Sequence, residues 1–513
     1  MTLPTIQIFD TMTGAKRPLE PVSPGRVGIY VCGVTVYDLT HIGHARVFVG
    51  FDIATRYLRH RGYDVKYVRN HTDVDDKIIN RANEKGQDPL ELSQHFIEQL
   101  DADMGALGVI APDVEPKVST HIGEIVTMVE QLIENGHAYN VNGDVFFEVG
   151  SFPDYGKLSG MKLDEMRAGE RVNIDTRKKN PADFALWKSQ KPGEPAWDSP
   201  WGKGRPGWHI ECSAMATTHL GANFDIHGGG KDLVFPHHEN EIAQSEGACK
   251  EHYANTWMHI GLVNIDGEKM SKSLHNFWTV RDVLGLYHAE VIRYFFLSAH
   301  YRKPISYSDG NLDLARHRLQ YLYATKEAIA VLWDRVTKPD VDPATHDEFV
   351  GRIYAGMDDD FNSSVALAVI GEAAKLANEL MTTKKLAKKP DVLAKIAAIE
   401  GLFTVFGECF GVLHSDAATV LSEIRARLAK QLDIDPAFVA QKIADRVEAR
   451  ANKDWAAGDA IRDELAELHV ELMDRAAGTD WRINPPEPVL DEPQVDEPQV
   501  DEPQVSESQV SES

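Results

Sequence analysis

Two hydrophobic periods meet in the first seventy residues. Arg26-Val27-Gly28-Ile29-Tyr30-Val31-Cys32 is short, apolar and β-branched, the pattern of a buried strand. From His44 onward, Val47, Phe51, Ala54 and Leu58 fall at i, i+4, i+7 and i+11, one helical stripe that Gly62 can end. A second apolar run, Asp64–Arg69, reads as the next strand, so residues 26–69 predict a βαβ unit. That strand runs into Asn70-His71-Thr72-Asp73-Val74-Asp75-Asp76-Lys77, a polar cluster where an open α/β sheet places its ligands. Asp75 or Asp76 would equally cap the helix that follows.

The remaining pattern predicts the architecture. Residues 1–25 read as a short lead-in. Residues 80–140 are helical in pattern, interrupted near 111–116, and 143–208 is strand-rich with Gly and Pro, an insertion splitting the α/β fold. The sheet is expected to resume at Trp208–Cys212 and again through Phe224–Asp232, where Gly228, Gly229 and Gly230 allow close backbone approach to a ligand. In Phe235-Pro236-His237-His238-Glu239-Asn240-Glu241, Pro236 suits a first helical turn, placing His237 and Glu241 on one face. Beyond Arg302 the period is helical, with runs at Leu312–Val331 and Val365–Phe410, a capped junction at Met357–Asn362, and a smaller unit over 420–482.

Composition narrows the class. Five hundred and thirteen residues are enough for several domains with real cores. No 18-residue apolar run and no basic-then-apolar leader occur, so neither a membrane span nor a signal peptide is expected. Four cysteines (32, 212, 249 and 409) are too sparse for a disulfide framework and suit reduced thiols in a cytoplasm. The net charge of −25 argues against indiscriminate coating of nucleic acid, and basic residues that could contact RNA are scattered. Residues 483–513 hold nine of the acids and no Lys or Arg; Asp-Glu-Pro-Gln-Val occurs three times from Asp491, and this composition reads as disordered.

Three constellations carry chemistry. His41-Ile42-Gly43-His44 sits where a strand, a glycine turn and a helix N-terminus meet, so unpaired amides, the helix dipole and two imidazoles could face a phosphate. Capping or core histidines are the plainer reading of that tetrapeptide alone. Glu268-Lys269-Met270-Ser271-Lys272-Ser273, far downstream, could swing over a triphosphate, although a solvated Lys/Ser loop is the commoner fate of such a segment. Cys32, Cys212, His237 and Glu241 form a plausible tetrahedral zinc set, with His238 or Glu239 as substitutes and buried thiols beside a capped helix as the alternative.

The two ATP-type segments, in this order around a long α/β region, resemble the paired signatures of class I aminoacyl-tRNA synthetases. Tyr-Val-Cys-Gly-Val-Thr-Val-Tyr-Asp at Tyr30, Gly-Trp-His-Ile-Glu-Cys-Ser-Ala-Met at Gly207 and Phe-Pro-His-His-Glu-Asn-Glu-Ile-Ala-Gln-Ser at Phe235 resemble the cysteinyl-tRNA synthetase family. The similarity runs from about residue 6 to Arg482, densest before about 310. Leu274-His275-Asn276-Phe277 departs from it, since relatives usually place Gly before that Asn.

The resemblance implies a Rossmann-like parallel-sheet catalytic domain over 1–310 with an insertion at about 115–207. It further implies a helical bundle at 311–415 along the tRNA stem, an anticodon-binding unit at 420–482 including Arg446, Arg450, Lys453 and Trp455, and the acidic tail at 483–513 outside the pattern. It implies zinc on Cys32, Cys212, His237 and Glu241, one ion per chain, and Mg2+ arriving with ATP. ATP would meet His41, Gly43, His44 and Lys272, with His41, His44, Lys269 and Lys272 catalytic. L-cysteine would meet Gly33, Thr72, Trp208 and Asp232. The implied partners are tRNA(Cys), ATP and L-cysteine, for a monomeric, cytoplasmic enzyme. Two rivals are a related ligase joining cysteine to an amino sugar, which lacks the full C-terminal end, and a non-catalytic zinc-stabilised RNA-binding protein, which needs neither ATP segment.

Overall fold

Four parallel strands form the central sheet: β1 (Arg26–Val31), β2 (Asp64–Arg69), β3 (Phe224–Gly230) and β4 (Ala254–Ile260). Their order is β4-β3-β1-β2, and every pair is parallel. This computed structural model describes residues 3–161, 176–265, 268–269, 278–475 and 478–485. Most of the Lys269–Ser273 loop, His275 and the acidic repeats lie outside them.

β1 and β3 lie side by side although their chain connections leave in opposite directions, β1 to β2 on one side and β3 to β4 on the other. That is the switch point at which an open parallel sheet opens a crevice beyond its strand ends. The helix after β1, α1 (Ile42–His60), buries Phe48, Phe51, Ala54, Tyr57 and Leu58, much of the stripe read from the sequence. It lies directly on β3: a Cβ at Gly228 would fall 2.0 Å from the Phe51 ring, so glycine is the residue that permits this packing.

Several local expectations are corrected. The lead-in is a hairpin, Gln7–Asp10 with Ala15–Pro18, whose second strand is exposed at every residue and so shows no alternation. Trp208–Cys212 opens no strand; a helix, α2 (Ile210–Leu220), starts there and buries every residue from Ile210 to Ala216. Pro236 lies in a turn over Val234–His238, and the following helix, α3 (Glu239–Cys249), begins only at Glu239. His237 and Glu241 still face each other. At the 357–362 junction Asn362 gives no side-chain cap; Asp360 organises the bend, accepting from Phe9 N (2.9 Å), Tyr301 Oη and Arg302 Nε (2.7 Å).

The inserted segment holds an antiparallel four-stranded sheet, Ala138–Val141, Asp144–Phe147, Phe184–Ser189 and Gly204–Pro206, paired in chain order. Beyond it, helices Asp309–Trp333, Pro343–Asp358, Ser363–Met381, Pro390–Phe410 and Ala417–Gln431 stack together. Ser308, Asp342 and Asp416 cap three of them, each side chain accepting a first-turn amide. A buried guanidinium ties this bundle to the sheet unit: Arg293 donates to Asp52 of α1 and to Phe410 O (2.6 Å). The chain then forms helices Pro436–Ala451 and Trp455–Glu467 and a hairpin, Val470–Arg475 with Gly478–Ile483. Among the described residues no helix is long and apolar enough to cross a membrane.

Candidate active site and metal centre

A cavity of about 510 Å³ opens beyond the ends of β1 and β3, lined by Cys32, Gly33, His41, His44, Thr72, Trp208, Cys212, Asp232 and His237 among others. Its floor is a buried group of donors. Ligand atoms of Cys32, Cys212, His237 and Glu241 all lie within 4.8 Å of one another. Cys32 comes from the end of β1, Cys212 from α2, His237 from the turn and Glu241 from α3. Cys32 Sγ is 3.2 Å from Glu241 Oε1, and His237 Nε2 is 3.1 Å from the same oxygen.

A second set, Cys32, His227, His238 and Glu241, satisfies the same distance. It is the less accessible one, since His227 and His238 are fully buried and absent from the cavity wall. Both are engaged as supports: His227 Nε2 meets Glu241 Oε2 at 2.8 Å, and His238 Nδ1 meets His259 Nε2 at 2.8 Å. Tyr253 Oη donates to Glu241 Oε2 at 3.3 Å. One carboxylate oxygen is thus held from behind while the other faces the thiols, the arrangement by which an outer shell orients a metal ligand.

The electrostatics suit a cation. Cys212 is brought down to about 6, chiefly by its hydrogen bond with Cys32, which outweighs burial, with further help from His237. Burial, and then the neighbouring Cys212, push the Cys32 thiol up. Burial opposes charge on His237, but Glu241 and Cys212 together raise it to about 10. Burial likewise opposes charge on Glu241, yet His227 and His237 hold it well below the usual carboxylate range. His238 Nε2, fully buried, has no hydrogen-bond partner among the described residues and lies 4.0 Å from Glu241 Oε1. Two sulfurs, an imidazole and a carboxylate in this space fit zinc by donor type. A third acidic group, His71 with Asp101 and Glu115, already holds a cation, because Arg69 Nη2 is 2.6 Å from Glu115.

Asn70 stood in the polar cluster read from the sequence but was given no role of its own there. Its Oδ1 accepts from Gly33 N (2.9 Å) and lies 3.7 Å from Cys212 Sγ, while its Nδ2 reaches Thr72 Oγ1 (3.3 Å). Its partners come from β1 and α2, distant in sequence, so only the fold reveals its place. Gly33 is packed against the same residue, and a Cβ there would fall 1.7 Å from Asn70 O. Trp208, itself exposed, sets its ring centroid 4.4 Å from that of the buried His237.

In the wall of the same cavity, the helix start differs from expectation. The amides of Gly43 and His44 are not open to a ligand; both donate to His41 Nδ1, at 3.1 and 3.2 Å. A neutral His41 that accepts at Nδ1 carries its proton on Nε2. The two imidazoles stack, with centroids 3.5 Å apart. The lysine segment is tethered on both sides of its undescribed part. Lys269 lies in a short strand pairing Asn264, and Trp278–Val280 is pinned to the helix start by Ile42 N to Trp278 O (3.1 Å) and Val280 N to Thr40 O (2.9 Å). Lys272 itself is outside the described residues.

In the C-terminal unit, Arg446 and Arg450 both bind Asp474, and Arg446 is buried there. Trp455 is exposed.

A parallel sheet with a switch-point cavity, a His-Ile-Gly-His helix start and a tethered lysine loop define the class I aminoacyl-tRNA synthetase catalytic fold. Residues 18–317 match the family described as "tRNA synthetases class I (C) catalytic domain", and residues 352–413 match the DALR domain. The chain resembles methionyl-tRNA synthetase of Mycobacterium tuberculosis in complex with methionyl-adenylate, with a TM-score of 0.58 at 16% identity over 77% of this chain and 93% of that one. It is 49% identical to cysteine–tRNA ligase of Pelobacter propionicus over 93% of this chain and 99% of the relative. It is 48% identical to the chloroplastic/mitochondrial cysteine–tRNA ligase of Arabidopsis thaliana, over 93% of this chain and 86% of the relative. The chain belongs to the cysteine–tRNA ligase family.

Proposed function

We propose that this protein activates L-cysteine with ATP and esterifies it to the 3′ end of tRNA(Cys). The observation that carries the reading is the buried Cys32–Cys212–His237–Glu241 group at the cavity whose wall also holds His41 and His44 of the helix start. A thiol-specific pocket and a phosphate-binding end then share one space.

In the first step a cysteine carboxylate oxygen attacks the α-phosphorus of ATP in line. The bond to the bridging oxygen breaks, and pyrophosphate leaves with that electron pair. In the second, the terminal ribose hydroxyl attacks the adenylate carbonyl, releasing AMP and a proton. Such chemistry needs positioning and charge stabilisation more than a covalent nucleophile. His41 Nε2–H, the His44 imidazole and Lys272 are assigned to the phosphates, Gly43 contributing room for their approach rather than its amide, which is held by His41, with Lys269 beside them and Mg2+ arriving with ATP. Gly33, Thr72, Trp208 and Asp232 are assigned to the cysteine, its ammonium nearest Asp232.

Cys32, Cys212, His237 and Glu241 would hold zinc, which when bound supplies a soft Lewis acid that favours a thiolate over a hydroxyl. The residues at 311–415 are assigned to the tRNA stem and those at 420–482 to the anticodon; a monomer in the cytoplasm accords with this role. The test is cysteine-dependent ATP–pyrophosphate exchange followed by charging of total tRNA. Exchange with cysteine but not serine, then esterification of one tRNA species, is expected; exchange without any charging would point to a different acceptor.

A further inference from the structure

Lys77 closes the polar cluster that begins at Asn70 and has no part in the assignments to ATP or cysteine. It stands in the first turn of the helix Asp76–Lys85, where a cation opposes the helix dipole, so helix stability does not explain it. It lines the catalytic cavity, and among the described lining residues it is the only Lys or Arg. Of those lining residues only Lys77, Trp208 and Asp232 are exposed, which puts the three at the rim.

The acids beside Lys77 are already engaged. Asp75 caps the helix, its Oδ1 accepting from Lys77 N at 2.9 Å. Asp76 is held by two cations of the inserted sheet, Lys188 Nζ at 2.6 Å and Arg205 Nη2 at 2.5 Å. The Lys77 ammonium has no ion-pair partner among the described residues. It lies 5.8 Å from the centroid of the Tyr37 ring, itself part of the cavity wall. A ring contact at that range orients an ammonium without neutralising it. Unpaired surface lysines are ordinary; a place in the wall of this cavity sets Lys77 apart.

The triphosphate is assigned to His41, His44 and the lysine segment, whose exit is bridged to His41 at Thr279. Lys77 adjoins the inserted sheet instead, through Asp76 and its two cations. The substrate anion still without a partner is the acceptor strand. Its terminal hydroxyl reaches the adenylate carbonyl from solvent, over the exposed rim, with a phosphodiester one linkage behind. We infer that Lys77 binds the last phosphodiester of the tRNA acceptor strand and so sets the terminal ribose over the adenylate in the second step. This inference rests on the function proposed for the cavity.

The test compares Lys77→Met, which keeps the aliphatic stem, with Lys77→Arg, which keeps the charge. Pyrophosphate exchange, in which no tRNA takes part, should move less than about twofold in either variant. Charging by K77M should fall about tenfold through the KM for tRNA, as for one lost charge-assisted hydrogen bond. The slope of log affinity against log salt should shrink by about 0.7. K77R should restore most of the charging rate. A tRNA with a neutral methylphosphonate at its last linkage should cost the unmodified protein about tenfold and K77M almost nothing more, because both changes remove one contact. Exchange that falls in step with charging would give Lys77 to ATP or cysteine and overturns this inference alone. So do losses that simply add, or charging that K77M leaves intact. Exchange absent from the unmodified protein would overturn the proposed function and this inference with it.

Discussion

His41 and Thr279 face each other in an antiparallel β-bridge, 238 positions apart in the chain. The residue that caps the first catalytic helix is thereby bound to the residue that ends the lysine loop. Thr279 is also the N-cap of helix Val280–Leu286, in a reciprocal box with Asp282. Loop exit, helix start and His41 form one mechanical unit.

Thr279→Ala removes the hydroxyl half of that box, a change worth about 1 kcal/mol in local helix stability. The loop exit should loosen while the cysteine end of the cavity is untouched. Pyrophosphate exchange should fall several-fold through kcat with little change in the KM for cysteine. Equal loss in both parameters would show that the bridge supports the whole cavity.

Lys272→Ala should lower the adenylation rate far more than it weakens cysteine binding. The lysine is assigned to charge that develops on the departing pyrophosphate, so it favours the transition state over the ground state. Turnover that stays intact while only the KM for ATP rises would contradict that assignment.

Cys212→Ser exchanges a soft donor for a hard one at the centre of the buried group. Bound zinc, measured by atomic absorption on the purified variant, should drop, and cysteine affinity should fall more than ATP affinity. Chelator treatment of the unmodified protein should act in the same direction. Zinc content unchanged in the variant would remove Cys212 from the ligand set.

Tyr253→Phe deletes one hydroxyl that donates to Glu241 Oε2 and leaves the ring packing in place. Loss of an outer-shell partner costs about 10- to 100-fold in metal affinity, and the lower figure applies here because His227 still holds that oxygen. Competition with a chromophoric chelator reads the change directly. An unaltered affinity would mean that His227 alone orients the carboxylate.

Removing residues 420–482 should separate the two steps. Exchange should survive, because every group assigned to it precedes residue 280, whereas tRNA charging should collapse. Exchange lost from a fragment that keeps its helical circular dichroism would refute this division of labour.

Much of the framework was legible because its periods are clean. Asp64–Arg69 was delimited to the residue, and the Val47–Leu58 stripe marked α1 although that helix is buried on most sides, Phe51 to Thr55 without a break. α2 was misread because its 11 residues, with Ile210 to Ala216 all buried, are too short a window to show a helical period. The Cys32, Cys212, His237 and Glu241 set could be named from donor type and resemblance. Its supports could not, because Asn70, His227 and Tyr253 acquire meaning only when strands far apart in sequence become neighbours. The Val365–Phe410 run, read as helical throughout, in fact breaks at Thr382 into two helices.

Cys32 and Glu241 touch across 209 positions of chain. During synthesis, therefore, the donor group cannot be complete until nearly half of the protein has left the ribosome and β3 has inserted beside β1. An ion captured earlier, by Cys32 alone, has no partners to keep it. Zinc loading, as proposed for this group, would therefore follow the joining of the two halves of the sheet, and a nascent chain stalled before α3 would leave the ribosome without it.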